Sequence, residues 1–221
     1  MIAVIIPTYC RKDGKTPFYL KRCIDSVLAQ TCQDFKLFVI GDKYENDSEI
    51  ISLIPQNALY ENLTYAYERD KYTGFRLWCC GGVNASNYGL KQALSMGINY
   101  IASLDHDDWW AEDHLQLFKD NTPFAWACTK SVHKNAEHLP NVQTEQKVIP
   151  FLPKPNGIVR SSVCWNYELL PFTIRNVYEE TEKDYPGDAD LWGRMSQYIQ
   201  QHNLRSIFIN RLTCFHEEEV F

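Results

Sequence analysis

The hydrophobic positions in the first half of the chain alternate between short apolar runs and longer stretches with helical spacing. The short runs predict four strands, at residues 3–6, 35–40, 63–67 (the weakest) and 100–104. Apolar residues at helical spacing predict the elements between them: helices at about 17–30 and 83–96, and a helix or loop around 48–54. Strands that alternate with helices indicate a mostly parallel α/β sheet, which binds ligands beyond the carboxyl ends of its strands.

The second half of the chain has a less regular pattern. Apolar runs predict strands at residues 124–132, 157–165 and 206–209, and helical spacing predicts a helix at 189–201. The polar, proline-containing stretch 134–156 predicts a mobile loop over a site rather than a linker between domains. A chain of 221 residues with 45% hydrophobic content can bury one sizeable core, so we expect a single domain over residues 1–221.

Charge and cysteine content argue against several classes of protein. The formal net charge is −6 and no basic run is present, so nucleic-acid binding is not expected. The apolar start, residues 1–7, lacks a basic flank and is too short for a signal peptide or a membrane span. The eight cysteines show no Cys-x-x-Cys spacing. They favour reduced, mostly buried thiols in a cytoplasmic protein over a disulfide framework or a zinc site.

An acidic cluster follows the strand predicted at residues 100–104. Asp105, His106, Asp107 and Asp108 are consecutive. Strand alternation would point Asp105 and Asp107 the same way, about 7 Å apart. Clustered carboxylates at the edge of a core are costly unless a cation binds there, and Mg²⁺ or Mn²⁺ carrying a diphosphate suits such oxygen ligands. The alternative is an acidic turn that caps the next helix.

Five segments in this order carry a resemblance to a known family: Val4-Ile5-Ile6-Pro7-Thr8-Tyr9, residues 20–30, Phe38-Val39-Ile40-Gly41-Asp42, residues 81–90 and Asp105-His106-Asp107-Asp108. They resemble the GT-A fold of nucleotide-sugar glycosyltransferases, especially the inverting family 2. The resemblance implies a Rossmann-like α/β fold, whose mostly parallel central sheet is flanked by helices and accompanied by a small antiparallel second sheet. It also implies a nucleotide-sugar-binding half at residues 1–110 and an acceptor-binding half at 111–221.

The activity implied by this resemblance is sugar transfer with inversion at the anomeric carbon. The donor would be a nucleotide diphosphate sugar, preferably a UDP-sugar, and the acceptor a hydroxyl of a glycan or glycoprotein. The implied cofactor is Mn²⁺ or Mg²⁺. The chain also resembles the amino-terminal domain of a glycosyltransferase of a large algal DNA virus. Further domains in a longer polypeptide, and a location in the host cytoplasm, are therefore expectations.

The resemblance also assigns roles to the acidic residues. It implies Asp107 as a direct metal ligand, Asp105 as a contact to ribose or metal, and His216 as a further ligand; Asp108 is the third acidic candidate. Asp188 resembles the family's catalytic base, although an aspartate after Pro-Gly at a helix start is commonly an N-cap. Asp190 is the fallback base.

The donor contacts implied by the resemblance come from both halves of the chain. They are Pro7, Thr8, Tyr9, Arg11, Asp42, Arg76, Asn84, Asn87, Asp105, His106, Trp109 and Gly157. Ser86 stands where the family often has an arginine, so Arg76 is the candidate to supply that contact. Gly187 stands where the family has glutamate. Trp109 and Trp110 either wall the sugar pocket or belong to the core, and Gly157 would open a strand close to the acceptor.

Three other functions stay open at this point. A nucleotidyltransferase would need a phosphate loop rich in glycine, lysine and arginine after the first strand, where this chain has residues 7–11, Pro-Thr-Tyr-Cys-Arg. A non-catalytic carbohydrate-binding module would need the acidic cluster without a base, and Asp188 argues against it. A degenerate glycosyltransferase would bind its donor without turnover, which the missing glutamate leaves possible.

Overall fold

The structure is a computed structural model that describes residues 1–133 and 137–216. The strands in these residues are β1 (Ile2–Thr8), β2 (Phe35–Gly41), β3 (Leu59–Asn62), β4 (Tyr100–Ser103), β5 (Trp109–Trp110), β6 (Trp126–His133), β7 (Glu137–Leu139), β8 (Val148–Pro150), β9 (Val163–Asn166) and β10 (Ser206–Phe215). The helices are α1 (Thr16–Leu28), α2 (Asp47–Ile51), α3 (Gly74–Cys80), α4 (Val83–Ser95), α5 (His114–Asp120), α6 (Val177–Thr181) and α7 (Gly187–His202), with a short 3-10 helix at Arg160–Ser162.

The strands form one sheet in the order β3-β2-β1-β4-β9-β6-β10-β5, with β7 beside β6 and β8 beside β10. The first four strands are parallel, and β6 and β10 also pair in parallel. Thr8 lies opposite Gly41, and Ile5 lies opposite Ser103. The carboxyl ends of β1, β2 and β4 therefore meet at one edge, where the loops carrying Tyr9, Asp42 and Asp105 begin.

The two faces of the sheet bury two hydrophobic clusters. Ile5 and Phe38 belong to one cluster and Val4 and Leu37 to the other, as strand alternation requires. Helix α4 packs on the first face and α1 on the second, through apolar residues at the helical spacing seen in the sequence. All eight cysteines are free and seven are buried, which confirms the prediction of mostly buried thiols. No helix in the described ranges is long and apolar enough to span a membrane.

The third strand lies earlier in the chain than predicted. The structure places β3 at Leu59–Asn62 instead of 63–67, because β3 pairs with β2 and that partner ends at Gly41. Leu63 donates one last hydrogen bond to the Gly41 carbonyl, and the chain then leaves the sheet. The short helices α3, α5 and α6 and the two-residue strand β5 were not predicted.

The stretch 134–156 and the segment after it also differ from the prediction. Two short strands in this stretch, β7 and β8, pair with β6 and β10, so these parts are tied to the sheet. Strand β9 begins at Val163, not at Gly157, because a turn and the 3-10 helix Arg160–Ser162 precede it. Strand β10 continues to Phe215, past two irregularities in its register with β6.

Gly89 allows α4 to lie directly on the sheet. A Cβ at this position would come within 2.6 Å of Ile5 Cγ2 and 3.2 Å of Ile40 Cγ1. Both neighbours are buried, β-branched side chains with little rotameric freedom.

We expect Gly89→Ala to lower the free energy of unfolding by about 1–2 kcal/mol, because crowding outweighs the better helix propensity of alanine. Urea denaturation measures the effect. Gly193→Ala is the matched control, since the added methyl makes only an ordinary contact, 3.7 Å from Pro155. An unchanged or higher stability of Gly89→Ala would contradict this account of the packing.

Candidate functional site

The acidic cluster forms a turn immediately after β4. Leu104 donates to the Ile5 carbonyl, and the Asp108 amide then donates to the Asp105 carbonyl at 3.0 Å, closing the turn. Since the chain turns at His106 and Asp107, strand alternation stops at this point. Asp105 and Asp107 contact different partners, so the prediction that both point the same way is wrong.

Asp107 is buried and faces the loop between β1 and α1. Arg11 Nη1 donates to Asp107 Oδ2 at 2.6 Å, and the same guanidinium holds Asp13. Arg22 Nη2 donates to the Asp107 carbonyl, also at 2.6 Å. The structure thus places Arg11, predicted as a donor contact, in a buried ion pair with the acidic turn.

Asp105 contacts a different arginine. Arg160, on the 3-10 helix, forms an ion pair with Asp105 Oδ1, and the Ser161 hydroxyl accepts the Asp105 amide at 3.0 Å. Burial raises the pKa of Asp105, but the charge and hydrogen bond of Arg160 outweigh it, so the pKa lies below its ordinary value. Arg160 Nη1 also donates to Ser86 Oγ at 3.3 Å. This guanidinium therefore lies against the position where the family often has an arginine.

Asp108 and His216 form a buried pair. His216 Nδ1 lies 2.9 Å from Asp108 Oδ1, and the His216 ring stacks on His133 with 4.8 Å between the ring centroids. Burial raises the pKa of Asp108 to about 6. Burial lowers the pKa of His216, but the contact with Asp108 outweighs this and raises it to about 9. The end of β10 thus brings the predicted histidine to the acidic turn.

The chemistry of this cluster suits a hard divalent cation. Asp105, Asp108 and His216 supply carboxylate oxygens and an imidazole nitrogen, which Mn²⁺ and Mg²⁺ accept to different degrees. Their charges act on one another, since Asp105 contributes to the pKa of both Asp108 and His216. Within residues 1–133 and 137–216, no three His, Cys, Asp or Glu side chains are already arranged to hold a metal ion. A cation would have to displace the existing ion pairs.

Asp188 lies close to the same cluster. Helix α7 begins at Gly187 with Pro186 as its N-cap, so Asp188 is in the first turn and the N-cap alternative is wrong. Its Oδ1 accepts the Ala189 amide at 2.7 Å. Burial raises the pKa of Asp188 above its ordinary value, while Arg160 acts in the opposite direction. The predicted base and the acidic turn therefore share one arginine.

Gly187 has no room for a side chain. A Cβ there would lie 2.8 Å from the Arg175 carbonyl oxygen and 3.1 Å from Ile174 Cγ2. The glutamate that the family has at this position is excluded by the segment that precedes α6.

Asp190, the fallback base, is held in an ion-pair network. Arg175 binds both of its carboxylate oxygens, at 2.8 and 2.7 Å, and Arg194 donates to Oδ2 at 2.7 Å. Burial raises the pKa of Asp190, but the two arginines lower it below its ordinary value. These contacts hold Asp190 between Arg175 and Arg194, and its role as the fallback base stays a prediction.

The ends of β1 and β2 form a second buried polar group. The Asp42 amide donates to the Thr8 carbonyl at 2.7 Å, and Arg69 Nε lies 3.2 Å from Asp42 Oδ2. The Tyr9 ring lies between the Arg69 guanidinium, 4.6 Å away, and the His106 ring, 4.8 Å away. Within the described residues, Arg69 lies in ion-pair range of Asp42 Oδ2, but neither Asp42 oxygen nor Thr8 Oγ1 takes part in a well-aligned hydrogen bond. Buried polar atoms without partners are typical of ligand sites.

Glu68 extends this polar group and was not predicted. It is buried, and its Oε1 accepts the Asn84 amide at 3.1 Å. Burial, with a smaller contribution from Asp42, raises the pKa of Glu68 to about 7. Asn84 itself lines a cleft of about 230 Å³ together with Asn62 and Tyr88. In the sequence, Glu68 belongs to a short charged run that indicates only a solvated turn.

Three other predicted donor contacts have structural roles. Asn87 binds both backbone groups of Ile174, at 2.7 and 3.2 Å. Arg76 pairs with Asp184 at 2.8 Å, and the guanidinium that contacts Ser86 is that of Arg160; donor binding by Arg76 stays a prediction. Gly157 lies in a turn, and among the described residues beyond its chain neighbours the nearest atom to the place where a Cβ would stand is Lys154 Cβ, at 4.0 Å.

The two tryptophans after the acidic turn differ in environment. Trp109 is partly buried and stacks on Phe215. The Arg22 guanidinium carbon lies 3.8 Å from the centroid of the Trp109 ring. Trp110 is fully packed: its Nε1 donates to the Ser161 carbonyl at 2.7 Å and its ring stacks on His114. Trp110 therefore belongs to the core.

His106 is buried beside Pro7 and Tyr9, and burial lowers its pKa.

A family model described as Glycosyl transferase family 2 matches residues 3–167. The chain belongs to this family. The relative with the same span, an uncharacterized glycosyltransferase of Acanthamoeba polyphaga mimivirus, is 34% identical over 98% of this chain and 93% of its own length. Succinoglycan biosynthesis protein ExoW of Rhizobium meliloti is 34% identical over 58% of this chain and 36% of its own length. These matches identify the chain as a glycosyltransferase.

Solved structures confirm the GT-A fold. S. aureus TarS 1-349 in complex with UDP has a TM-score of 0.68 at 14% identity, covering 97% of this chain and 60% of that one. The complex of the same protein with UDP-GlcNAc has a TM-score of 0.69 at 14% identity, over 100% of this chain and 59% of that one. This chain therefore spans about three fifths of the TarS fragment.

Because burial raises the pKa of Glu68 to about 7, the folded protein holds this proton more tightly than the unfolded chain does. The free energy of unfolding therefore falls as the pH rises from about 4.5 to 7. We expect Glu68→Gln to remove roughly 2–3 kcal/mol of this pH-dependent loss, measured by urea denaturation between pH 4.5 and 8. Glu145→Gln, at an exposed position, is the control. Parallel curves for wild type and Glu68→Gln would contradict the assignment.

Proposed function

We propose that this glycosyltransferase is metal-dependent and inverting, and that it moves a sugar from a UDP-sugar to a hydroxyl of a glycan or glycoprotein. One observation carries the proposal: Arg160 forms an ion pair with Asp105 of the acidic turn and acts electrostatically on Asp188. This contact supports placing the cation that would bind the diphosphate and the base that would remove a proton together at the carboxyl edge of the parallel strands, where α/β proteins bind ligands.

The nucleoside would bind at Thr8, Tyr9 and Asp42. The buried Asp42 carboxylate pairs with Arg69 but accepts no well-aligned hydrogen bond within the described residues, so it suits an imide N–H such as that of uracil. The Tyr9 ring supplies an aromatic surface beside it. The UDP and UDP-GlcNAc complexes of TarS, which has the same fold, support a uridine nucleotide as the first choice.

The metal would be held by Asp108 and His216, with Asp105 as the third ligand. Asp107, the ligand first implied by the resemblance, is occupied by Arg11, and Asp108 takes its place in this proposal. A bound Mn²⁺ or Mg²⁺ supplies positive charge for the departing diphosphate.

Asp188 would act as the general base. Its carboxylate takes the proton of the acceptor hydroxyl as the acceptor oxygen bonds to the anomeric carbon. The bond from that carbon to the diphosphate oxygen breaks, and the nucleoside diphosphate leaves with the electron pair. Attack opposite the leaving group inverts the anomeric centre. Arg160 opposes the effect of burial on the Asp188 pKa and so favours the ionised form that a base requires.

We expect Asp188→Asn to reduce kcat by about 10²–10⁴-fold, since the amide cannot accept the proton. The Kd for UDP should stay within about twofold, because Asp188 contacts no proposed nucleoside residue. A UDP-release assay over UDP-, GDP- and dTDP-sugars with Mn²⁺ measures the first quantity and calorimetry the second.

Glu182→Gln is the matched control, because it neutralises an exposed acid in the same loop. Full activity of Asp188→Asn would disprove the base assignment. A wild-type protein that binds UDP but releases none from any donor would identify a degenerate enzyme.

We expect His216→Gln to weaken Mn²⁺ binding by about tenfold or more, measured by electron paramagnetic resonance of free Mn²⁺ in the presence of UDP. His202→Gln, at an exposed histidine on α7, should leave the affinity unchanged. If Asp107→Asn weakens Mn²⁺ binding and His216→Gln does not, the ligand set proposed here is wrong.

A further inference from the structure

Helix α3 presents two aromatic side chains to solvent. Phe75 and Trp78 are 62% and 48% exposed, and their rings stack with 5.4 Å between centroids and 19° between planes. Residues three apart share a helix face, so the two rings form one surface. Contiguous apolar patches on a protein surface commonly mark binding sites. We call Phe75 and Trp78 the aromatic pair.

The aromatic pair lies beside the proposed base. The Cys79 carbonyl oxygen is 3.6 Å from the place where a Gly187 Cβ would stand, so the end of α3 touches the start of α7. Burial raises the pKa of Cys79 to about 11, with added contributions from the charges of Asp184 and Asp188. Phe75 precedes Cys79 by four residues, which places both on one face about 6 Å apart along the helix axis.

The helix that carries the aromatic pair is tied to its neighbours. Arg76 pairs with Asp184 at 2.8 Å, and its guanidinium lies 3.5 Å from the centroid of the Tyr178 ring. These contacts join α3 to the loop before α7 and to α6. A binding surface that is rigid before the ligand arrives has a lower entropic cost of binding.

Two cations close to the aromatic pair in sequence are both held in ion pairs. Arg76 is neutralised by Asp184, and Lys71 pairs with Glu179 at 2.7 Å. An anionic membrane surface or a nucleic acid would need unpaired cations at this place. The surface therefore suits an uncharged ligand with one apolar face, which describes a pyranose ring.

We propose that the aromatic pair is an acceptor subsite that binds the sugar next to the one being glycosylated. The inference rests on the proposed function, because the acceptor hydroxyl must reach Asp188. The end of α3 touches the start of α7, which carries Asp188, so a sugar stacked on the aromatic pair would be a neighbour of the sugar whose hydroxyl reaches Asp188. The acceptor class is therefore an oligosaccharide of at least two sugars.

The test follows the indole N–H signal of Trp78 by NMR in protein saturated with UDP and diamagnetic Mg²⁺. The probes are cellotetraose, chitotetraose, xylotetraose and mannotetraose, with methyl glucoside as the single-sugar comparison. We expect at least one tetrasaccharide to shift this signal and methyl glucoside to leave it unchanged. Phe75→Ala and Trp78→Ala should weaken binding of that tetrasaccharide at least tenfold, and Trp78→Phe should retain it. Ile51→Ala, at an exposed apolar residue on α2, is the matched control.

The UDP affinity separates this inference from the proposed function. UDP should bind all variants within twofold of the wild-type Kd, since the aromatic pair lies outside the nucleoside residues. No shift of Trp78 by any tetrasaccharide, or equal affinity in the alanine variants, would overturn the acceptor subsite. Absence of UDP binding to the wild type would instead contradict the proposed function.

Discussion

The charge of Arg160 holds the candidate site together. Four carboxylates gather at one end of the sheet: Asp105, Asp107, Asp108 and Asp188. Like charges at this depth repel one another strongly, and their proximity requires cations among them. Arg160 pairs with Asp105, contacts α4 through Ser86 and acts on α7 through Asp188, so one guanidinium joins three separate segments. Arg11 and His216 neutralise the remaining acids on either side.

The sequence predicted those elements whose signal is local and long. Strands β1, β2 and β4 and helices α1 and α4 carry clear periodicity, and the family resemblance rested on them and was confirmed. Helices α3, α5 and α6 have only five to seven residues, too few for a helical period to stand out. The error in β3 has a different cause, because its position is set by where β2 ends.

The candidate site was predictable in composition but not in pairing. Asp105, Asp108, Asp188 and His216 were all singled out from the sequence, and the structure brings them to one place. The partner of Asp105 lies 55 residues away and that of Asp107 lies 96 residues away. No local pattern distinguishes Arg160 from a surface arginine, or Glu68 from a solvated acid, since both identities follow from the folding of distant segments.

The crowding at Gly187 restricts which residues this position can accept. A backbone carbonyl, not a movable side chain, lies beside the place where a Cβ would stand. Any larger residue there would collide with the main chain at Arg175. A glutamate introduced by design would therefore need a compensating change in the neighbouring segment, so this position cannot be redesigned alone.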